Sequence, residues 1–373
     1  MLLAVSVGLL SLWAGAPAHA QEATDDLASL NAQILDNPQD SNLNLRYARL
    51  AEAQGKLRLA LTAYERVLIN QPDNVEAQHG YERVRRVIEP SYDSLRMEVG
   101  ERWDSNALDV SDGEDSAYTT FLNGTWVDER RLGARRWRTY ATFQAEITPE
   151  IDELNYGYFG VQTGPFVDLT PNDAAIPAIG VAVSSFANEF YYGEINAGVT
   201  IEGHRDSTTY WGRLRSGYRQ YGESSTSDQG FYAELMGGLS RPNIASANDW
   251  IVAVPWVRWS GIEGATIDFL NDPIAPGEYA EYGLDASYNY RFNDHVSVAI
   301  GAMGRDRYYS TTEIAGHNRH DSFIAPKASL TFWNPFACSC GVKLSYEYRN
   351  NQSNDDLSEY QGQQASISLV RQF

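Results

Sequence analysis

From Ser91 onward the chain alternates. Leu95, Met97 and Val99 interleave with Arg96, Glu98 and Gly100. Trp137, Thr139, Ala141, Phe143, Ala145 and Ile147 oppose Arg136, Arg138, Tyr140, Gln144 and Glu146. Leu284, Ala286, Tyr288, Tyr290 and Phe292 oppose Asp285, Ser287, Asn289 and Arg291, and Val342, Leu344, Tyr346 and Tyr348 oppose Lys343, Ser345, Glu347 and Arg349. A period of two is the signature of strands with unlike faces. Gly, Asn, Asp, Pro and Ser clusters punctuate the pattern. They mark strands near 93–104, 116–127, 136–148, 154–167, 174–185, 189–202, 208–221, 228–240, 249–260, 278–292, 295–309, 319–332, 341–350 and 360–373.

Residues 25–88 follow a different period. Leu, Ala and charged residues recur at helical spacing, and Pro38 and Pro72 stand 34 residues apart, the length of a tetratricopeptide repeat. Between them Ala48, Gly55, Ala60 and Tyr64 fall where such a repeat places its small residues, its turn and its gap-filling aromatic. Only one repeat is complete, with Asp25–Asn37 and Val75–Ile88 as flanking helices. So small a unit folds alone only marginally, so it is expected to dock on the rim of the strand region or on a partner. His79 reads as a helix-surface residue rather than a ligand.

The stretch before these helices, Met1–Ala20, has an apolar core and ends Ala18-His19-Ala20, a small-x-small cleavage pattern. Export with a cut after Ala20 is expected. No Lys or Arg precedes the apolar core, which leaves the start codon open. The run is too short and too early for a spanning helix, and no later segment has the roughly 20 apolar residues that a helix needs to cross a bilayer. An exported chain that spans a membrane must then do so with strands.

An even number of strands, each with its connection taking roughly 20 residues, suits a bacterial outer-membrane barrel. The expected fold is mainly β: a 14-stranded antiparallel transmembrane barrel over 91–373, preceded by a short α-helical tetratricopeptide-like segment over 21–90. The C-terminal strand alternates Ala365, Ile367 and Leu369 against Ser366 and Ser368 and ends on Phe373. It resembles the terminal strand by which the barrel assembly machinery recognises its substrates, with Arg371 as one departure. Ile367, Leu369 and Phe373 are the expected assembly signal, and deleting Phe373 should impair insertion rather than transport.

Charge changes the picture of the faces. The chain carries 29 Lys/Arg and 49 Asp/Glu, a formal charge of −20, and the strand region alone holds −17 of it. The acids gather in connections: "DSNALDVSDGED", "GIEGATIDFLNDPIAPGEYA" and "SNDDLSE". These read as solvated outer fringes that bridge to lipopolysaccharide through divalent cations. The inward faces are mixed and rich in arginine. The candidate lumen-lining residues are Arg96, Glu98, Arg136, Arg138, Glu146, Arg213, Arg215, Asp285, Arg291, Glu347 and Arg349. Opposite charges on neighbouring strands form ladders that stiffen the wall, and a selectivity role for the arginines is the second reading.

Catalytic chemistry is missing. There is no GxSxG, no HExxH and no phosphate-cradling glycine loop. His204 and His295 fall in short turns, and "HNRHD", His317–Asp321, reads as a weak metal signal in a flexible loop. Cys338 and Cys340 read as a local disulfide or as turn thiols. No enzyme activity, cofactor, metal or nucleic-acid partner is expected.

A signal peptide, the repeat at Ser41–Asn74, "GERWDSNALD" at the first strand and a barrel running to Phe373 together resemble the surface lipoprotein assembly modifiers. The resemblance is architectural. It implies an outer-membrane barrel, with its helical segment in the periplasm, that helps a protein client reach the cell surface. It transfers no individual functional residue. Two other readings are an exopolysaccharide export porin with periplasmic repeats and a non-transporting structural or receptor barrel.

Overall fold

In a computed structural model the protein is described for residues 26–372, apart from 72, 90, 112, 114, 134, 171, 206, 223–227, 265–271, 315, 336–339. The cleavage segment and Phe373 lie outside the described residues. Four helices, α1 (Leu27–Asp36), α2 (Ser41–Ala53), α3 (Leu57–Asn70) and α4 (Val75–Ile88), precede fourteen strands. The strands are β1 (Ser91–Asp104), β2 (Ala117–Leu132), β3 (Arg135–Ile147), β4 (Tyr156–Asp168), β5 (Asp173–Phe186), β6 (Glu189–Arg205) and β7 (Thr208–Tyr221). They continue with β8 (Gln229–Pro242), β9 (Asp249–Ile262), β10 (Gly277–Asn293), β11 (Val296–Ile314), β12 (His317–Trp333), β13 (Cys340–Ser353) and β14 (Tyr360–Gln372).

The helices start where side chains satisfy free amides. Asp26, Asp40 and Asn74 cap α1, α2 and α4. Gly55, at φ +69°, ends α2 in the left-handed region that favours glycine. Their core is their own: Leu30, Ile34, Ala48, Ala51, Ala60, Ala63, Tyr64, Val67, Ala77 and Val84 are all buried together. The alanines let α2 and α3 approach closely. Tyr64 crosses to α4 and lies on Gly80, where an added Cβ would sit 2.3 Å from the ring. Its hydroxyl donates to Glu52 at 2.9 Å, and Arg83 grips the same carboxylate at 2.6 and 2.7 Å. Gly80→Ala gains helix propensity of about 1 kcal/mol but loses roughly 1–3 kcal/mol to overpacking. Protease cleavage within α3–α4 should therefore accelerate; unchanged cleavage would mean the ring simply swings aside.

Each strand pairs antiparallel with its sequence neighbours, and β14 closes on β1 through the register from Arg96–Gln372 to Asp104–Gln364. Closure leaves no strand edge, which is what hydrocarbon demands of a sheet. Side-chain bonds between non-adjacent strands, such as Arg102–Glu146 (β1 to β3) and Arg138–Glu202 (β3 to β6), identify the inner face, since only the inside connects those strands. The opposite parity is apolar and exposed: Val99, Ile179, Val181, Leu214, Leu235 and Ile300 form a belt. Tyr118, Phe231 and Trp259 edge it at one end and Phe292 and Phe332 at the other. An apolar belt between aromatic girdles is the outer surface of a membrane barrel. No described helix is long and apolar enough to cross a membrane.

The two longest gaps between strands, from Asp104 to Ala117 and from Ile262 to Gly277, fall at the end away from the termini, while Leu132 pairs with Arg135, Arg205 with Thr208 and Asn293 with Val296 at the terminal end. Cys340 is disulfide-bonded, and the chain's other cysteine, Cys338, lies outside the described residues. The "HNRHD" motif is not in a loop. It forms the start of β12, because β11 runs on to Ile314, past its expected end near 309, and β12 begins at His317 rather than near 319; His320 stacks on Tyr308 with centroids 4.2 Å apart.

Candidate functional site: the lumen and the seat of the helical segment

The largest fully buried side chains in the barrel are arginines, tyrosines, isoleucines and glutamates, so ion pairs stand beside a small cluster of Tyr192, Tyr221, Tyr232, Ile262 and Ile274. One ladder climbs the inner wall from β6 to β11. Glu194 accepts from Arg219 at 2.7 Å and from the Tyr232 hydroxyl at 2.6 Å. Glu234 accepts from Arg213 at 3.0 Å and Arg258 at 2.7 Å, with Arg215 at 3.6 Å. Glu281 accepts from Arg258 at 2.8 Å, Arg307 at 2.9 Å and the Trp256 indole at 2.7 Å, with Arg305 at 3.8 Å. Each carboxylate is shared by two or three arginines, which keeps a buried charge compensated.

Every sequence-derived lumen residue has inward parity. Glu98 meets Lys343 at 3.4 Å and the Ser368 hydroxyl at 2.7 Å. Arg96 lies two positions away on the same side of β1 and is exposed. Glu146 pairs with Arg102 at 2.6 Å, and Asp285 with Lys327 at 2.5 Å. Glu347 lines a cavity of about 350 Å³ beside Arg102, Lys327 and Lys343. Arg349 holds Asp104 and Asp109 at 2.7 Å each. Ile367 and Leu369 face outward, as the terminal-strand pattern requires. The acidic connections are more than solvated fringes: Asp104, Asp109 and Asp272 turn in to Arg349 and Arg219.

Arg136 and Arg291 bond to the helical segment, and Arg138 shares its two carboxylates with Arg86 of α4. Glu129, fully buried, receives Arg138 at 2.6 Å, Arg86 of α4 at 3.1 Å and Arg136 at 3.3 Å. Arg138 also grips Glu202 at 2.6 and 2.8 Å, and Arg86 reaches the same carboxylate at 3.2 Å. Arg86 and Arg138 share the ring of Phe166 at 4.8 and 5.1 Å. Arg136 donates to the carbonyls of Arg86 and Glu89. Elsewhere on the rim, Arg291 donates to Gln71 at 2.7 Å and to Asp73, and Gln71 donates to Asp294 at 2.8 Å. The helical segment is thus seated in the terminal-end mouth of the barrel by polar contacts at separate points.

Beside α4 the seat is incomplete. A cavity of about 430 Å³ lies between α4 and the wall, lined among others by His79, Arg83 and Arg86 and by Phe166, Ile176 and Trp211. His79 faces water in this cavity, but the enclosing wall pushes its pKa below the ordinary value, with Glu82 and Glu202 pulling the other way. The sequence reading missed Glu129 because β2 runs to Leu132 rather than ending near 127. It also passed over Arg219, Glu234, Glu281 and Arg307, all of which share the parity of inward residues already assigned on their strand or on the strand paired with it.

No protein-family model matches the chain, and no curated protein matches it. Among solved structures it is similar to a loop L8 deletion mutant of OmpT, an outer membrane protein of Vibrio cholerae. The TM-score is 0.41 at 8% identity, covering 76% of this chain and all of that one. Pseudomonas aeruginosa OpdK, solved with vanillate, gives 0.35 at 8% identity over 75% of this chain and 99% of its own. Acinetobacter baumannii OccAB3 gives 0.38 at 7% identity over 76% and 99%. At these scores the likeness is one of general form and carries nothing about solute or activity.

Proposed function

We propose that the protein is an outer-membrane transport barrel that assists export or surface display of a macromolecule, and that its helical segment closes the periplasmic mouth until cargo arrives. The observation that carries this reading is the seat of α4: a helical unit with a self-contained apolar core, held in the mouth by ion pairs and hydrogen bonds. Polar contacts between units with separate cores are the kind that open and close. The two longest gaps between strands lie at the end away from the helices, as external loops do in such barrels, and this supports a periplasmic place for the helices, where cargo would be met. The charge balance of the seat favours reversibility. When Arg86 leaves, Glu129 and Glu202 still hold Arg136 and Arg138, two carboxylates with two arginines, so release strands no buried carboxylate.

The test uses the full chain with Arg86→Ala and Arg291→Ala combined. In planar bilayers the variant should open more often than the wild type, and equal conductance would remove the helices from gating. In cells, loss of the protein should deplete particular proteins from the protease-accessible surface. Depletion of a surface polysaccharide instead would transfer the reading to saccharide export, and an unchanged surface would end it.

A further inference from the structure

A second cavity, of about 230 Å³, lies deeper in the lumen than the one beside α4, and Tyr140, Gln162 and Arg213 line both. The two are therefore neighbouring parts of one interior space that begins at the helical seat. The deeper part is lined by Arg213, Arg215 and Arg219 of β7, together with Tyr158 of β4, Asn196 of β6 and Asp272.

Among the described residues the charged groups that line this part are Arg213, Arg215, Arg219 and Asp272, while Glu194, Glu234 and Glu281 of the ladder do not line it. The three glutamates are buried to within 4% exposure and already clasped, so a solute in the cavity meets guanidinium groups rather than carboxylates. Arg215 is itself only 8% exposed, and its Nε, like that of Arg213, has no hydrogen-bond partner among the described residues. Asp272 is the exception among the acids. It comes from the β9–β10 connection, not from the wall, and places its carboxylate 2.5 Å from Arg219 Nη1. A carboxylate tethered to the site already shows what chemistry the site accepts.

We propose that this cavity binds small carboxylate solutes, which take the place of the Asp272 carboxylate on Arg219 and engage the Nη groups of Arg215, which stand 4.0 Å from Glu194 and 3.6 Å from Glu234, beyond hydrogen-bond reach. Guanidinium donors match a carboxylate in charge and geometry, and the surrounding tyrosines supply hydroxyls for further polar groups. Binding here is independent of whether the barrel exports a macromolecule, so a failed export experiment leaves it standing.

The test is calorimetric titration of the full-length, detergent-solubilised protein with succinate, using spermidine as the cationic control. If Asp272 occupies Arg219 about nine-tenths of the time, removing that competitor tightens succinate roughly tenfold, and this is the shift expected for Asp272→Asn. Arg215→Gln, which leaves the Glu194–Arg219 and Glu234–Arg258 bonds in place, should weaken succinate, and spermidine should give no heat. Both variants are checked for heat-dependent gel migration, so that loss of binding is not confused with loss of the barrel. Folded Asp272→Asn with wild-type affinity, succinate binding untouched by Arg215→Gln, or a preference for spermidine would each overturn the assignment.

Discussion

Glu281→Gln should be among the most damaging single substitutions in the barrel, costing roughly 3–5 kcal/mol. The carboxylate is 1% exposed and receives Arg258, Arg307 and the Trp256 indole within 2.9 Å, with Arg305 close by. The amide keeps the shape and one acceptor but removes the negative charge that Arg305 and Arg307 face and that Arg258 shares with Glu234, and a buried network that loses part of its counter-charge is fragile. The comparison is Lys327→Gln. Lys327 and Asp285 pair at 2.5 Å, but both are about one-third exposed to lumen water, and a pair in that setting is worth about 0–1 kcal/mol. Urea titration of the folded, heat-modifiable form should separate the two variants clearly. Similar midpoints would show that water reaches the Glu281 cluster and that the ladder is not a stabilising element.

Leu214→Arg is the second large effect, and it acts on the opposite face. Leu214 is 54% exposed at the middle of β7, flanked in the ladder by Val199 and Leu235 on the apolar belt. An arginine facing hydrocarbon near the bilayer midplane costs about 2–4 kcal/mol. Arg213 and Arg215, one residue to either side, point inward to Glu234 and Glu194, so Arg213→Gln with Arg215→Gln should fold where Leu214→Arg does not. Assembly is read by outer-membrane fractionation and heat-dependent migration. If Leu214→Arg inserted normally while the double Gln variant failed, inward and outward would have to be exchanged along β7.

The two predictions differ in how far the sequence alone supports them. Leu214 was legible as lipid-facing from its neighbours, because side-chain direction in a strand alternates regardless of what the strand packs against. The same local rule placed the fourteen strands and the inward side of Arg96 to Arg349, and the helical period placed the helical segment. Strand ends were less legible. β2 reaches Leu132 and β11 reaches Ile314 because pairing with a partner, not local pattern, decides where a ladder stops. Glu281 illustrates the remaining limit. Its parity could be read, but its value depends on Arg258 and Arg307, 23 and 26 residues away, arriving at the same height in the wall.

What the sequence by itself determined is the class of object: helices, then an even set of amphipathic strands with charge on one face, which has one stable solution in a bilayer, a closed barrel. What only the tertiary structure decided is the partner of each charge. Alternation fixes the side a residue faces but not its height, and height follows from register and strand tilt around the closed sheet. That is why Arg86 of α4 could not be paired with Glu129 and Glu202 in advance, nor Asp272 of an acidic connection with Arg219, nor Arg291 with the end of α3. Those contacts seat the helices in the mouth and shape the arginine-lined cavity, and they exist because closure of the sheet brings together residues from 43 to 220 positions apart.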